Sequence, residues 1–155
     1  MNKIKFLIFS LVVIFLASCN NDKAETESEH GWITNLEDGF KIAKENSKHV
    51  FVLFTGSDWC PPCKKLHHDI LETEEFEKFA KDNLVLVMLD FPRKKQNQLS
   101  PEQKKYNQNL SRKYHVRGFP TVVIFDAKGK ELNRWVGYPP SDVQTMIGKY
   151  SEVLK

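Results

Sequence analysis

Two seven-residue runs constrain this chain more than any other feature: HVFVLFT at 49–55 and LVLVMLD at 84–90. Neither alternates apolar with polar residues, so each reads as a strand buried on both faces rather than one with a face in water. Between them lie an element opened by CPPC at 60–63 and the helical stretch TEEFEKFAKDN at 73–83. Strand, helix, strand in this order is a βαβ unit. It predicts parallel strands, a right-handed crossover and an α/β fold.

The flanking segments fit around that unit. Thr34 with Glu37 makes a capping box, and Leu36, Phe40 and Ala43 recur at helical spacing, which predicts a helix to about Ser47. Ser100 followed by Pro101 and Gln103 predicts a surface helix over 101–114. TVVIFD, AKGK and ELNRWVG read as a strand, a turn with glycine in the permissive place, and a return strand. A second capping box, Ser141 with Gln144, opens a last helix whose apolar face is Val143, Met146, Ile147, Tyr150 and Leu154. No internal repeat is present. With 155 residues the chain suits one domain, placed here at 32–155.

The first nineteen residues, MNKIKFLIFSLVVIFLASC, carry two lysines, an apolar run from Phe6 to Ala17, small residues and a cysteine, which is the layout of an export signal. About 20 apolar residues are needed to cross a bilayer, and this run is shorter. Leu16, Ala17 and Ser18 before Cys19 resemble the lipobox of bacterial lipoproteins. The expectation is a signal peptide at 1–18, lipid on Cys19, and a flexible tether over 19–31, where the sequence is polar and aperiodic. The domain would then be lipid-anchored in a bacterial cell envelope, on the periplasmic or extracytoplasmic side. Of three cysteines, Cys60 and Cys63 remain as a pair.

Charge adds little to this. Lys3 and Lys5 account for two of the +3 formal charges, leaving +1, so bulk charge implies no nucleic acid partner. Residues 91–117 are locally basic, with eight Lys or Arg against the single acid Glu102. They read as a solvated face, with docking on an acidic protein or on anionic lipid as the alternative.

The chemistry rests on CPPC. A cysteine at the N-cap of a helix places its sulfur where free N–H groups and the positive end of the helix dipole meet, which favours the thiolate that attacks disulfides. Pro61 and Pro62 supply no N–H, leaving that of Cys63 as the nearest donor. A less stabilised thiolate makes a more reducing pair, a hint toward a reductase. Lys64 and Lys65 oppose this weakly as exposed cations. Trp59 is either a packing anchor or an apolar platform for a substrate chain. A structural role for a Cys60–Cys63 disulfide is weak, because closing so short a loop removes little entropy from the unfolded chain.

Metal binding is the competing reading. On one continuous helix Cys60, Cys63, His67 and His68 would share a face, a ligand set suited to copper or zinc. One straight helix does not wrap an ion, since Cys60 and His67 would stand about 10 Å apart. A distant ligand such as His115 would be needed, as in copper-delivery proteins of related architecture. His67 and His68 are expected at the surface or half-buried.

A CPPC after a buried strand, opening a helix and followed downstream by VRGFPT at 116–121, resembles the thioredoxin superfamily, from about Ile33 to the C-terminus. FTGSDWCPPCKKL is similar to the bacterial envelope group that includes thioredoxin-like lipoproteins and the C-terminal domain of the transmembrane thiol-disulfide reductase. The resemblance implies a thioredoxin-like fold: a central mixed sheet of parallel strands plus an antiparallel edge pair, with helices on both faces. It also implies that Cys60 attacks, Cys63 resolves, and Trp59, Phe119 and Pro120 contact substrate, with Pro120 in cis. Cytosolic thioredoxins carry a buried aspartate where this chain has Phe54; Asp58, near the helix start, is expected to be exposed and is assigned no part in proton transfer.

The function implied is thiol-disulfide oxidoreduction, most simply reduction of protein disulfides by a monomer that needs no cofactor and is recharged by a membrane thiol reductase. A copper metallochaperone of the same fold is the alternative.

Overall fold

Residues 32–55 form β1 (Trp32–Ile33), α1 (Leu36–Asn46) and β2 (His49–Thr55), and the CPPC element then opens α2 (Pro61–Leu66). A π-helical turn at His67–Leu71 leads into α3 (Glu74–Asn83) and β3 (Leu84–Asp90). After a short 3-10 turn at Lys95–Asn97 come α4 (Pro101–Lys113), β4 (Thr121–Phe125), β5 (Glu131–Val136) and α5 (Val143–Val153). The computed structural model of the chain describes residues 31–138 and 140–155. The expected signal peptide at 1–18, Cys19 and all but residue 31 of the expected tether lie outside the described residues. No helix among the described residues is long and apolar enough to cross a membrane.

The five strands form one mixed sheet in the order β1-β3-β2-β4-β5. β2 and β3 are parallel in full register, from His49 opposite Leu84 to Thr55 opposite Asp90, as the βαβ reading requires. β4 runs antiparallel to β2, and β5 antiparallel to β4. The strand β1, parallel to β3, has no counterpart in the sequence reading, because two residues are too few to show any alternation.

Each face of the sheet carries its own core. Phe51 and Leu53 of β2 meet Leu66, Ile70, Phe76, Met146 and Tyr150 from the α2, α3 and α5 side. Val50, Val52 and Phe54 meet Leu36, Ala43 and Leu110 from the α1 and α4 side. β2 is thus buried on both faces. β3 is so only in part: Val85, Val87 and Leu89 are buried, whereas Leu86 and Met88 are half-buried, since beyond β3 the sheet has only the two-residue β1.

Two helix starts differ from expectation by one residue. Asn35, not Thr34, caps α1, its side-chain oxygen accepting from the Asp38 N–H at 3.0 Å. Asp142, not Ser141, caps α5 through the Thr145 N–H at 2.8 Å. In both places two adjacent residues are competent caps, and the amide or carboxylate oxygen takes the position over the hydroxyl. Ser100 caps α4 as expected, through the Gln103 N–H.

Candidate active site

α2 begins at the C-terminal end of β2, and its geometry is set by the residues that cannot donate. Cys60 occupies the N-cap with extended backbone, and Pro61 and Pro62 fill the first turn. The Cys63 N–H donates to Cys60 Sγ at 3.3 Å. Cys60 and Cys63 are joined as a disulfide, with their Cα atoms 5.2 Å apart. Cys63 is fully buried; Cys60 is 3 % exposed and forms part of the wall of an open groove of about 430 Å³. Residues 59–62 line one side of that groove and 116–119 the other. Across it the Phe119–Pro120 peptide bond is cis, as the resemblance implied.

Trp59 stands beside the disulfide in a fixed orientation. Its indole N–H donates to the Phe91 carbonyl at 2.8 Å, its ring meets Phe119 edge-on at 5.9 Å, and the Arg93 guanidinium lies 3.4 Å from its centroid. Gly56 makes this possible, because a Cβ there would stand 2.5 Å from the indole ring. Arg93 is therefore more than part of a solvated basic face: its contact with the tryptophan is a cation–π stack.

Asp58 is a correction. It is buried at 8 % exposure, not exposed, because residues 93–97 fold back over it. Its carboxylate accepts from the backbone N–H groups of Arg93 at 3.0 Å and Lys94 at 2.8 Å, and from the Asn97 side chain at 3.1 Å. The hydrogen bond from the Arg93 N–H, with the others behind it, holds this carboxyl below the usual carboxylate value. Asp90 acts in parallel, accepting from the Ser57 N–H and hydroxyl and from the Phe91 N–H. These two carboxylates fasten the segment after β3 to the CPPC loop. Sequence reasoning assigned neither that task, and their partners lie up to 39 residues away.

The histidines do not form a common face. The π-helical turn breaks helical spacing after Leu66, so His67 turns inward while the His68 side chain is 86 % exposed against Asp69. His67 packs near Trp32, its Nε2 is buried without a hydrogen-bond partner, and burial pushes its pKa down. The hydrogen bond to Asp69 pushes that of His68 up. His115 is exposed with a left-handed backbone, φ 51°. Among the described residues no three or more His, Cys, Asp or Glu side chains are grouped to hold a metal ion.

Phe54, at the position of the thioredoxin aspartate, is fully buried in the α1 and α4 core.

The family described as "Thioredoxin-like domain" matches residues 36–151. A disulfide bond reductase DsbH of Chlamydia pneumoniae is 41 % identical over 113 residues, covering 73 % of this chain and 66 % of that protein. A thiol:disulfide interchange protein DsbD of Photorhabdus laumondii is 30 % identical over 100 residues, 64 % of this chain and 16 % of its own length. The chain thus spans less than two thirds of these relatives. The solved structure of a DsbH oxidoreductase superposes with a TM-score of 0.72 at 37 % identity, over 79 % of this chain and 83 % of that one. The strand order, the cis bond before Pro120 and the family match agree: the chain belongs to the thioredoxin-like domain family.

Proposed function

We propose that this protein is a thiol-disulfide oxidoreductase that reduces protein disulfides outside the cytoplasm of a bacterium, held to a membrane by lipid on Cys19 and recharged by a membrane thiol reductase. The observation that carries the reading is the Cys60–Cys63 disulfide at the start of α2, with Cys60 on an open groove and Cys63 sealed behind it. In the reduced protein Cys60 is the sulfur a substrate reaches. Its thiolate attacks one sulfur of a substrate disulfide, forming a mixed disulfide and expelling the other substrate sulfur as a thiolate. Cys63 then loses its proton and attacks Cys60 Sγ, the second substrate sulfur leaves, and two electrons have passed to substrate. Trp59 and Phe119, both on the groove wall, form the surface against which the substrate chain lies, and the buried Pro120 acts through the cis bond it makes with Phe119.

The reducing direction is supported by the helix start. Both residues between the cysteines are prolines, and the Cys63 N–H is the backbone donor on Cys60 Sγ. Fewer donors stabilise the thiolate less, and each 1.4 kcal/mol of lost stabilisation makes the pair roughly 30 mV more reducing. The relative of 41 % identity carries the name disulfide bond reductase.

Trapping tests the mechanism. Cys63→Ser should accumulate covalent complexes with disulfide substrates, visible on non-reducing gels and lost on adding a reductant, whereas Cys60→Ser should give neither complexes nor turnover. Turnover retained by Cys60→Ser would overturn the mechanism, and a strongly oxidising potential for the pair would overturn the direction.

A further inference from the structure

Around the disulfide the nearby carboxylates are engaged by hydrogen bonds and the cations are exposed. Asp58 and Asp90 spend their oxygens on N–H and hydroxyl donors of each other's loops. No carboxylate lines the groove, and Arg117 forms part of its wall with an exposed side chain. Arg93, also exposed, is held against Trp59, so each of the two segments that line the groove, 59–62 and 116–119, carries a guanidinium group on it or packed against it. Lys64, whose ammonium donates to the Asp58 carbonyl at 3.2 Å, adds a third cation at the start of α2. Val116 and Arg117 of the wall, and the Phe91 and Arg93 that hold Trp59, belong to a stretch with eight Lys or Arg and one acid.

A rim of one sign with its acids already engaged attracts a chain of the opposite sign and speeds its encounter. We propose that this groove selects protein substrates whose disulfide is flanked by acidic residues in an extended segment, with Arg93 and Arg117 as the cations that recognise the flanks. The proposal rests on the oxidoreductase reading for its chemistry but not for its binding.

The test compares two disulfide-containing peptides that differ only in glutamate or glutamine beside the cysteines. The reduced wild-type protein should reduce the glutamate peptide roughly 3- to 10-fold faster at low ionic strength, as two exposed charge pairs allow, with the advantage fading at about 0.5 M salt. In Arg93→Gln/Arg117→Gln the ratio between the two peptides should approach one, and Arg117→Gln alone, which leaves the Trp59 stack in place, should remove part of it. Equal rates on both peptides with wild type, or an advantage undiminished in the double variant, would overturn the proposal. The same peptides with serine for cysteine, followed by anisotropy of an attached fluorophore, read the groove without the chemistry. Tighter binding of the acidic peptide that the double variant loses supports the proposal even if no disulfide is ever reduced, and equal binding sinks it.

Discussion

Two groups of aromatic rings organise this molecule, and they are held by different forces. Under β2, Phe51 meets Trp32, Phe76 and Tyr150 edge-on at centroid distances of 5.3–6.0 Å, and all four are buried. At the disulfide, Trp59, Phe91 and Phe119 also touch one another in sequence, yet all three are half-buried. What places them is polar: the indole N–H on the Phe91 carbonyl, Arg93 on the indole, and Asp58 and Asp90 pinning the loop that carries Phe91 and Arg93. The first group is kept by exclusion of water. The second stays open to a substrate because hydrogen bonds to Asp58 and Asp90 replace the burial it lacks. Damage to the first should therefore unfold the protein, and damage to the second should disarm it while it stays folded.

The strongest test of that contrast is Phe51→Ala. Phe51 is fully buried and touches three rings, so its removal should cost about 3–5 kcal/mol of folding stability, read as a lower urea midpoint with an unchanged slope. Gly56→Ala is the matching test at the disulfide. The new methyl would collide with the indole ring at 2.5 Å, forcing Trp59 off its place beside Arg93 and Phe119. The expected stability loss is smaller, about 1–3 kcal/mol, because a half-buried ring is able to swing outward. Substrate reduction should nevertheless fall more steeply than in Phe51→Ala at a temperature where both variants are folded. If Gly56→Ala proves the less active-impaired of the two, the ring at the disulfide is packing rather than platform.

The same division explains what could be read in advance. β2, β3 and the helices announced themselves because burial leaves a local trace, an unbroken apolar run in the strands and a helical period in the helices, and the caps of α1 and α5 were missed only by a one-residue ambiguity between neighbours such as Thr34 and Asn35. CPPC marked the disulfide, and the resemblance supplied the cis bond at Pro120. The clamp on the loop was illegible. Asp58 looked exposed because it sits just before a helix start, and nothing near it in sequence says that the N–H groups of Arg93 and Lys94 return 35 and 36 residues later. His67 and His68 are half-buried and exposed, as expected, but which of the two turns inward was illegible, because the π-helical turn at His67–Leu71 has no local marker.

Acid offers the finest separation of the two regions, since each has one titrating group whose folded state resists protonation. His67, beside Trp32, is pushed below its ordinary value of 6.5 by burial, against the opposing fields of Glu72 and Asp90. Unfolding lets it take up a proton, so stability should decline as pH falls through 6.5 and level off once the pH is below the folded value. His68 is raised by Asp69 and works in the opposite sense, adding stability below 6.5, but at 86 % exposure its share is small. Asp58 is lowered from 3.8, so its contribution is complete above that value and lost as pH falls through the folded one. His67→Leu should flatten the first decline without loss of stability at pH 7, because the Nε2 it removes has no partner. Asp58→Asn should leave that decline intact and flatten the second, while altering Trp59 fluorescence at neutral pH as the loop under Arg93 loosens. Urea titrations from pH 7.5 to 3 would show both steps, and a pH profile unmoved by either substitution would mean that the two ring groups are not held by separate means.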